Sequence, residues 1–191
     1  MKLIEQVFTV PGTGEQAVLK GYLRDNIPYR SGRLRPAMII CPGGAYERCS
    51  LREGEPVALK FMEKGCQCFV LDYSVAPVRF PAALRQLAMA VAWVREHAAD
   101  WDIDPQRVFV CGFSAGGHLA ASLGVFWNRP FVYGYLGLAG ERVRPDGLIL
   151  SYPVICAGSF AHEMCIRDRP HLPACTLFCE DGEYSERQTD V

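Results

Sequence analysis

Residues 108–120 read VFVCGFSAGGHLA, and the placement of the serine in this stretch decides the fold. VFVC is a short apolar run, as expected of a strand buried on both faces. HLAASLG, which follows the serine, has helical character and extends the segment to about Leu123. Between them lies G-x-S-x-G, from Gly112 to Gly116, with Gly117 directly behind. A glycine-flanked serine between a strand and a helix is the pattern of a nucleophile elbow. The turn is so sharp that only small residues at Gly112, Gly116 and Gly117 relieve the crowding while the Ser114 hydroxyl stays exposed. The helix opening at Ala115 would point its first N–H groups and positive dipole end toward developing negative charge.

Acyl transfer through a tetrahedral intermediate needs two donors on the oxyanion. Ala115, directly after the serine, supplies one N–H. The second is expected from a glycine-rich loop after an earlier strand. Ala37–Cys41 (AMIIC) is such a strand, and it runs into Pro42-Gly43-Gly44-Ala45-Tyr46. The N–H groups of Gly44 and Ala45 are the candidates, since glycine lets a substrate approach the backbone closely.

The rest of the chain alternates in the same way. Leu3–Val10 and Ala17–Asp25 read as strands joined by PGTG at 11–14. A helix has Pro56 near its first turn, Glu53 and Glu55 beside it, and Gly65 just past its end. Cys66–Leu71 is the next strand. Ala82–Ala98 follows as an amphipathic helix whose apolar face carries Leu84, Leu87, Ala88, Val91, Ala92 and Val94. Asp104-Pro105 is expected to turn the chain into the strand Arg107–Cys111. RPDG at 144–147 turns it into the strand Leu148–Tyr152. Strand–helix repetition of this kind predicts an α/β fold with a mostly parallel sheet and helices on both faces.

Composition narrows the function classes. The 191 residues suit one domain, and 20 Lys+Arg against 21 Asp+Glu leave a formal net charge of −1. No basic stripe exists to hold a phosphate backbone, so nucleic acid is not an expected partner. MKLIEQVFTV lacks the apolar core of a secretory signal, and no apolar run is long enough to span a bilayer. A cytoplasmic protein with no membrane partner is the expectation. None of the nine cysteines forms a CxxC pair; Cys41, Cys66, Cys68 and Cys111 lie in or beside apolar strand-like runs as small apolar residues, and the Cys66-Gln67-Cys68 spacing does not suit zinc. No metal or cofactor is expected.

PGGAY, EGEPVALKF, VLDYSVAP at 70–77, GFSAGGHLAASLG and LILSYPVI together resemble the α/β-hydrolase fold. More narrowly, they are similar to bacterial esterases related to acetyl xylan esterases and to lipase-like carboxylesterases with an HGGG loop. The resemblance covers roughly residues 17–163. Pro42 stands where many relatives carry histidine, and Ala45 where they carry a third glycine; backbone donors survive both changes. The resemblance implies a serine esterase acting on a small-molecule ester, with small acyl groups such as acetyl on a sugar or similar alcohol. It leaves the oligomeric state open. Two other readings compete: a serine peptidase of the prolyl-oligopeptidase type, and a non-catalytic binding module derived from a hydrolase.

In this fold the acid and the histidine follow the serine along the chain. His97 precedes it. His118, one helical turn beyond Ser114, is expected to be packed or hydrogen-bonded rather than a base. His162 lies at the correct sheet edge but early in the chain, His171 is the last histidine, and Asp181 is a weak candidate acid. Residues 164–169 spell MCIRDR, the translation of a transposon mosaic-end sequence used as a sequencing adapter. The expectation is therefore a hydrolase domain over 1–163, the N-terminal part of the fold, followed by 164–191 as an adapter-derived junction and a segment of uncertain origin. On that reading the acid and histidine are missing and this chain is inactive.

Overall fold

In the computed structural model the described residues are 1–25, 34–137 and 139–155. They contain six strands in one sheet of order β1-β2-β4-β3-β5-β6. β1 (Lys2–Thr9) and β2 (Gln16–Leu23) form an antiparallel hairpin, and β2 also runs antiparallel to β4 (Gln67–Asp72). β3 (Arg35–Cys41), β4, β5 (Ile103–Phe113) and β6 (Gly147–Ser151) are mutually parallel neighbours in the order β4-β3-β5-β6. The α/β-hydrolase fold read from the sequence is what the chain adopts.

Among the described residues three long helices cover the sheet. α1 (Glu55–Glu63) packs on one face, where Ala58 and Met62 join Tyr22, Met38, Ile40, Cys68, Val70 and Cys111 in a small core. α2 (Ala82–Glu96) and α3 (Ala115–Phe126) cover the other face, against Leu19, Ile39, Phe69, Leu71, Val108 and Val110. All six apolar residues assigned to the inner face of the second helix are buried. Two short helices, α4 (Pro130–Tyr133) and α5 (Gly140–Val143), lead into β6.

Two local expectations need correcting. Asp104-Pro105 does not turn the chain into a strand beginning at Arg107, because β5 already begins at Ile103. The ladder nevertheless jumps there, from Arg35 opposite Ile103 to Ala37 opposite Val108, and Asp104 Oδ1 accepts the Gln106 N–H at 3.0 Å. The turn chemistry is present as an irregularity within the strand. The second helix ends at Glu96 rather than Ala98, with a tight turn over Ala99–Trp101 behind it.

The base of the β5–β6 pair is locked by charge. Asp146 Oδ2 accepts the Val108 N–H at 2.8 Å and the Arg95 guanidinium at 2.8 Å. Arg95 also donates to the carbonyls of Pro105, Arg142 and Arg144. One compact unit runs from Met1 to Pro153. Residues 156–191, including MCIRDR, His162, His171 and Asp181, lie outside the described residues.

Candidate active site

Parallel strands β3 and β5 end side by side, Cys41 opposite Gly112, so the loops leaving them meet at one edge of the sheet. Ser114 occupies the corner between β5 and α3 with φ 50° and ψ −114°, a left-handed backbone that non-glycine residues rarely adopt. Its surroundings hold it there. The Ser114 N–H donates to Ser151 O of β6 at 3.0 Å, and Ser114 O accepts the His118 N–H at 3.0 Å. Ser114 is half-buried while Ala115, Gly116 and Gly117 behind it are buried.

The elbow glycines are places of backbone contact. A Cβ on Gly116 would stand 2.0 Å from Cys41 O and 2.5 Å from Pro42 O. One on Gly112 would stand 2.2 Å from Gly116 O, and one on Gly117 would meet Pro153 at 2.9 Å. The first turn of α3 thus lies directly on the ends of β3 and β5, which is what brings Ser114 against the loop after β3. A Cβ on Gly43 would be 3.1 Å from Ser114 Cβ.

That loop, Pro42–Tyr46, is wound left-handed: φ is +134° at Gly44, 57° at Ala45 and 58° at Tyr46. Its conformation is fixed by many bonds. Pro42 O accepts the buried Tyr73 hydroxyl at 2.6 Å. Gly43 O accepts Ser50 N–H, Gly44 O accepts Glu47 and Arg48 N–H, and Tyr46 O accepts Ala76 N–H. The Gly43 N–H donates to Glu53 Oε2 at 2.8 Å. The N–H groups of Gly44 and Ala45, and that of Ala115 at the start of the 12-residue α3, bond to no described residue. Gly44 is half-buried, Ala45 exposed and Ala115 buried.

Aromatic side chains tie this loop to the elbow helix. The Tyr46 hydroxyl lies 2.8 Å from His118 Nδ1, and the Tyr46 ring meets those of Tyr73 and His118 edge-on. His118 is buried and hydrogen-bonded, the role expected of it, and its place on α3 keeps it under the loop. Burial pushes the Tyr73 phenol well above its usual range, which keeps it a donor to Pro42 O. His97 sits elsewhere, its Nδ1 3.0 Å from Trp93 O and its ring stacked on Trp101.

Two residues at the site escaped the sequence reading. Glu53, read as an acid beside a helix start, belongs to the tight turn Leu51–Glu53, while α1 begins at Glu55. Its Oε1 accepts the hydroxyl of Tyr152, whose φ of 38° is also left-handed. The hydrogen bond to Glu53 pushes the Tyr152 phenol up to about 12. No spacing rule pairs positions 43, 53 and 152; only the fold brings them together.

A protein-family model described as alpha/beta hydrolase fold matches residues 38–177. The chain belongs to the α/β-hydrolase fold family. Within it, the chain is 36% identical over 143 residues to endo-1,4-beta-xylanase B of Butyrivibrio fibrisolvens, covering 70% of this chain and 21% of that protein. It is 38% identical over 101 residues to the esterase LipQ of Mycobacterium tuberculosis, covering 52% and 24%. Among solved structures, an acetyl ester-xyloside bifunctional hydrolase from Caldicellulosiruptor lactoaceticus superposes with a TM-score of 0.66 at 36% identity, covering 82% of this chain and 56% of the other. The chain therefore spans about a quarter or less of these curated relatives and little more than half of that solved hydrolase. Within the family, the stretch that includes the β3 loop and the elbow is represented here. Among the described residues no helix is long and apolar enough to cross a membrane, and no cluster of three or more metal-ligating side chains occurs.

Proposed function

We propose that Ser114 is the nucleophile of a serine esterase and that Gly44, Ala45 and Ala115 supply its oxyanion donors. One observation carries this reading: a serine at φ 50° stands against a loop whose neighbouring polar groups are bonded while the N–H groups of Gly44 and Ala45 have no partner among the described residues. Ser114 Oγ adds to the ester carbonyl carbon, and the carbonyl electron pair moves onto the oxygen, where the amide donors receive it. Collapse re-forms the carbonyl and expels the alcohol. Water then attacks the acyl-enzyme in the same sense, releasing the acid and restoring the serine.

Serine needs a base to take its proton, and no described histidine faces it. Of the two histidines in the described residues, His118 is committed beneath the loop and His97 to the Trp93–Trp101 cluster. We assign the full mechanism to a longer parent that supplies acid and histidine, with residues 1–163 as its hydrolase part and 164–191 as the junction. For the chain alone the expected steady ester turnover is at least about 10⁴-fold below that of a complete triad. The names of a xylanase and of an acetyl ester-xyloside hydrolase among the similar proteins support small acyl esters, such as acetyl on a carbohydrate, as the substrate class.

A fluorophosphonate probe tests the nucleophile without demanding turnover. At about pH 9 solvent base takes the serine proton, an Oγ–P bond forms, and the P–F bond breaks with loss of fluoride. Modification mapped to Ser114, absent in Ser114→Ala, supports the reading. An unmodified, folded protein that still binds ester ligands equally well after Ser114→Ala would replace it with the binding-module alternative. Activated esters against activated peptide amides then separate esterase from peptidase in the parent.

A further inference from the structure

We infer that Glu53 is a positioning residue for the oxyanion loop: its carboxylate takes up the Gly43 N–H so that the next two amides of the chain, at Gly44 and Ala45, are the ones presented to substrate. The inference rests on the esterase reading for its catalytic meaning, but its geometry is independent of that reading.

The carboxylate sits in a narrow place. A Cβ on Gly43 would lie 2.8 Å from Glu53 Oε2, 2.9 Å from Phe113 O and 3.1 Å from Ser114 Cβ. Gly43 is therefore packed against both Glu53 and the nucleophile corner. Gly43 is buried, and a buried N–H without an acceptor is costly. Without Glu53 this N–H would turn toward the nearest alternative acceptor, and the left-handed run Gly44-Ala45-Tyr46 would turn with it. Glu53 itself is anchored twice. The tight turn is closed by its N–H on Ser50 O at 3.2 Å, while the Ser50 N–H returns to Gly43 O at 2.8 Å. Its second oxygen accepts the Tyr152 hydroxyl, just past the end of β6, next to Ser151, whose carbonyl holds the Ser114 N–H. One side chain thus links the oxyanion loop to the strand end that anchors the nucleophile. Each carboxylate oxygen has a donor.

The test measures the concentration dependence of fluorophosphonate labelling of the whole chain at about pH 9, giving a maximal rate and a half-saturation, together with amide hydrogen exchange by NMR. Glu53→Ala is expected to lower the maximal labelling rate by about 10-fold to 100-fold with the half-saturation little changed. It should also speed exchange at Gly43 by about tenfold or more, while Val110 in β5 stays protected. Glu53→Gln keeps an oxygen for Gly43 and should recover labelling to within about threefold of the original. Labelling and exchange in Glu53→Ala equal to the original would overturn the inference. So would a loss in Tyr152→Phe as large as that in Glu53→Ala, because the carboxylate would then act on Tyr152 rather than on Gly43. Should the unaltered chain never label, the esterase reading fails, and exchange at Gly43 alone decides whether Glu53 holds the loop.

Discussion

β3 and β5 carry the same kind of sequence as β6 and are buried very differently. Ile39, Ile40, Val108 and Val110 are all 0% exposed, whereas Leu148, Ile149 and Leu150 are 37%, 41% and 39% exposed. The central strands have neighbours on both sides and helices over both faces. Among the described residues β6 pairs only with β5. An apolar run announces that a strand is suited to two-sided burial; whether it obtains that burial depends on what else pairs with it. Ser114 sits on the seam between these two conditions. Its corner is pressed onto the saturated centre through Gly116, and its N–H hangs on Ser151 of the exposed strand.

The largest effect expected at this seam is chemical. Ser114→Ala removes all fluorophosphonate labelling of the chain while its melting temperature stays near the original; labelling that persists would place the nucleophile elsewhere.

A pair of glycine substitutions on one helix separates the two sides. Gly116→Ala drives a methyl group against the backbone oxygens of Cys41 and Pro42, neither of which can move without shifting β3, and should cost about 3 kcal/mol. Gly124→Ala, on the same helix, meets Leu148 Cδ1 at 2.5 Å, the far end of a flexible and partly exposed side chain. Leu148 can rotate aside, so the gain of up to about 1 kcal/mol from replacing a glycine in the last turn of the helix should make this change neutral or stabilising. Chemical denaturation of both variants checks the contrast, and equal losses would dissolve it.

A charge on each side sharpens it further. Ile149→Lys should change stability by no more than about 0.5 kcal/mol and raise the monomer fraction on size exclusion, because a lysine blunts an apolar edge. Val110→Lys, one strand inward, should not fold. An Ile149→Lys protein that self-associates as strongly as the original would show that β6 is not the sticky element.

The smallest effect is a titration. Tyr152 keeps its proton up to about pH 12 because Glu53 accepts its hydroxyl, whereas an unfolded tyrosine ionises near about 10. The folded state therefore binds more protons than the unfolded one between these values. The stabilisation is complete below about pH 10 and fades as pH rises toward about 12. It is weakened by solvent, since Tyr152 is largely exposed. Absorbance at 295 nm should resolve a late phenol that returns toward the ordinary value in Glu53→Gln.

Much of the arrangement was legible in the sequence because it rests on local rules. Apolar periodicity placed Leu84–Val94 on the inner face of α2, and small residues at fixed offsets marked Ser114 and the Gly44–Ala45 loop before any contact was known. What remained hidden depends on contacts between distant positions. Glu53 reads as an unremarkable acid until the fold sets its carboxylate beside Gly43, and Tyr152 reads as the end of a strand until its hydroxyl meets Glu53. Asp104-Pro105 has real turn chemistry, but pairing of β5 with β3 on either side of it absorbs the turn into a strand. The candidates read for acid and base, His162, His171 and Asp181, lie outside the described residues.

The central claim is that Ser114 and the amides of Gly44, Ala45 and Ala115 enclose one oxyanion position. A crystal structure of the fluorophosphonate-treated chain tests it directly. The account predicts a phosphonyl group on Ser114 Oγ with its unsubstituted oxygen about 3 Å from the Ala115 nitrogen and from that of Gly44 or Ala45. An adduct whose oxygen points to solvent, beyond hydrogen-bond reach of all three amides, would contradict it.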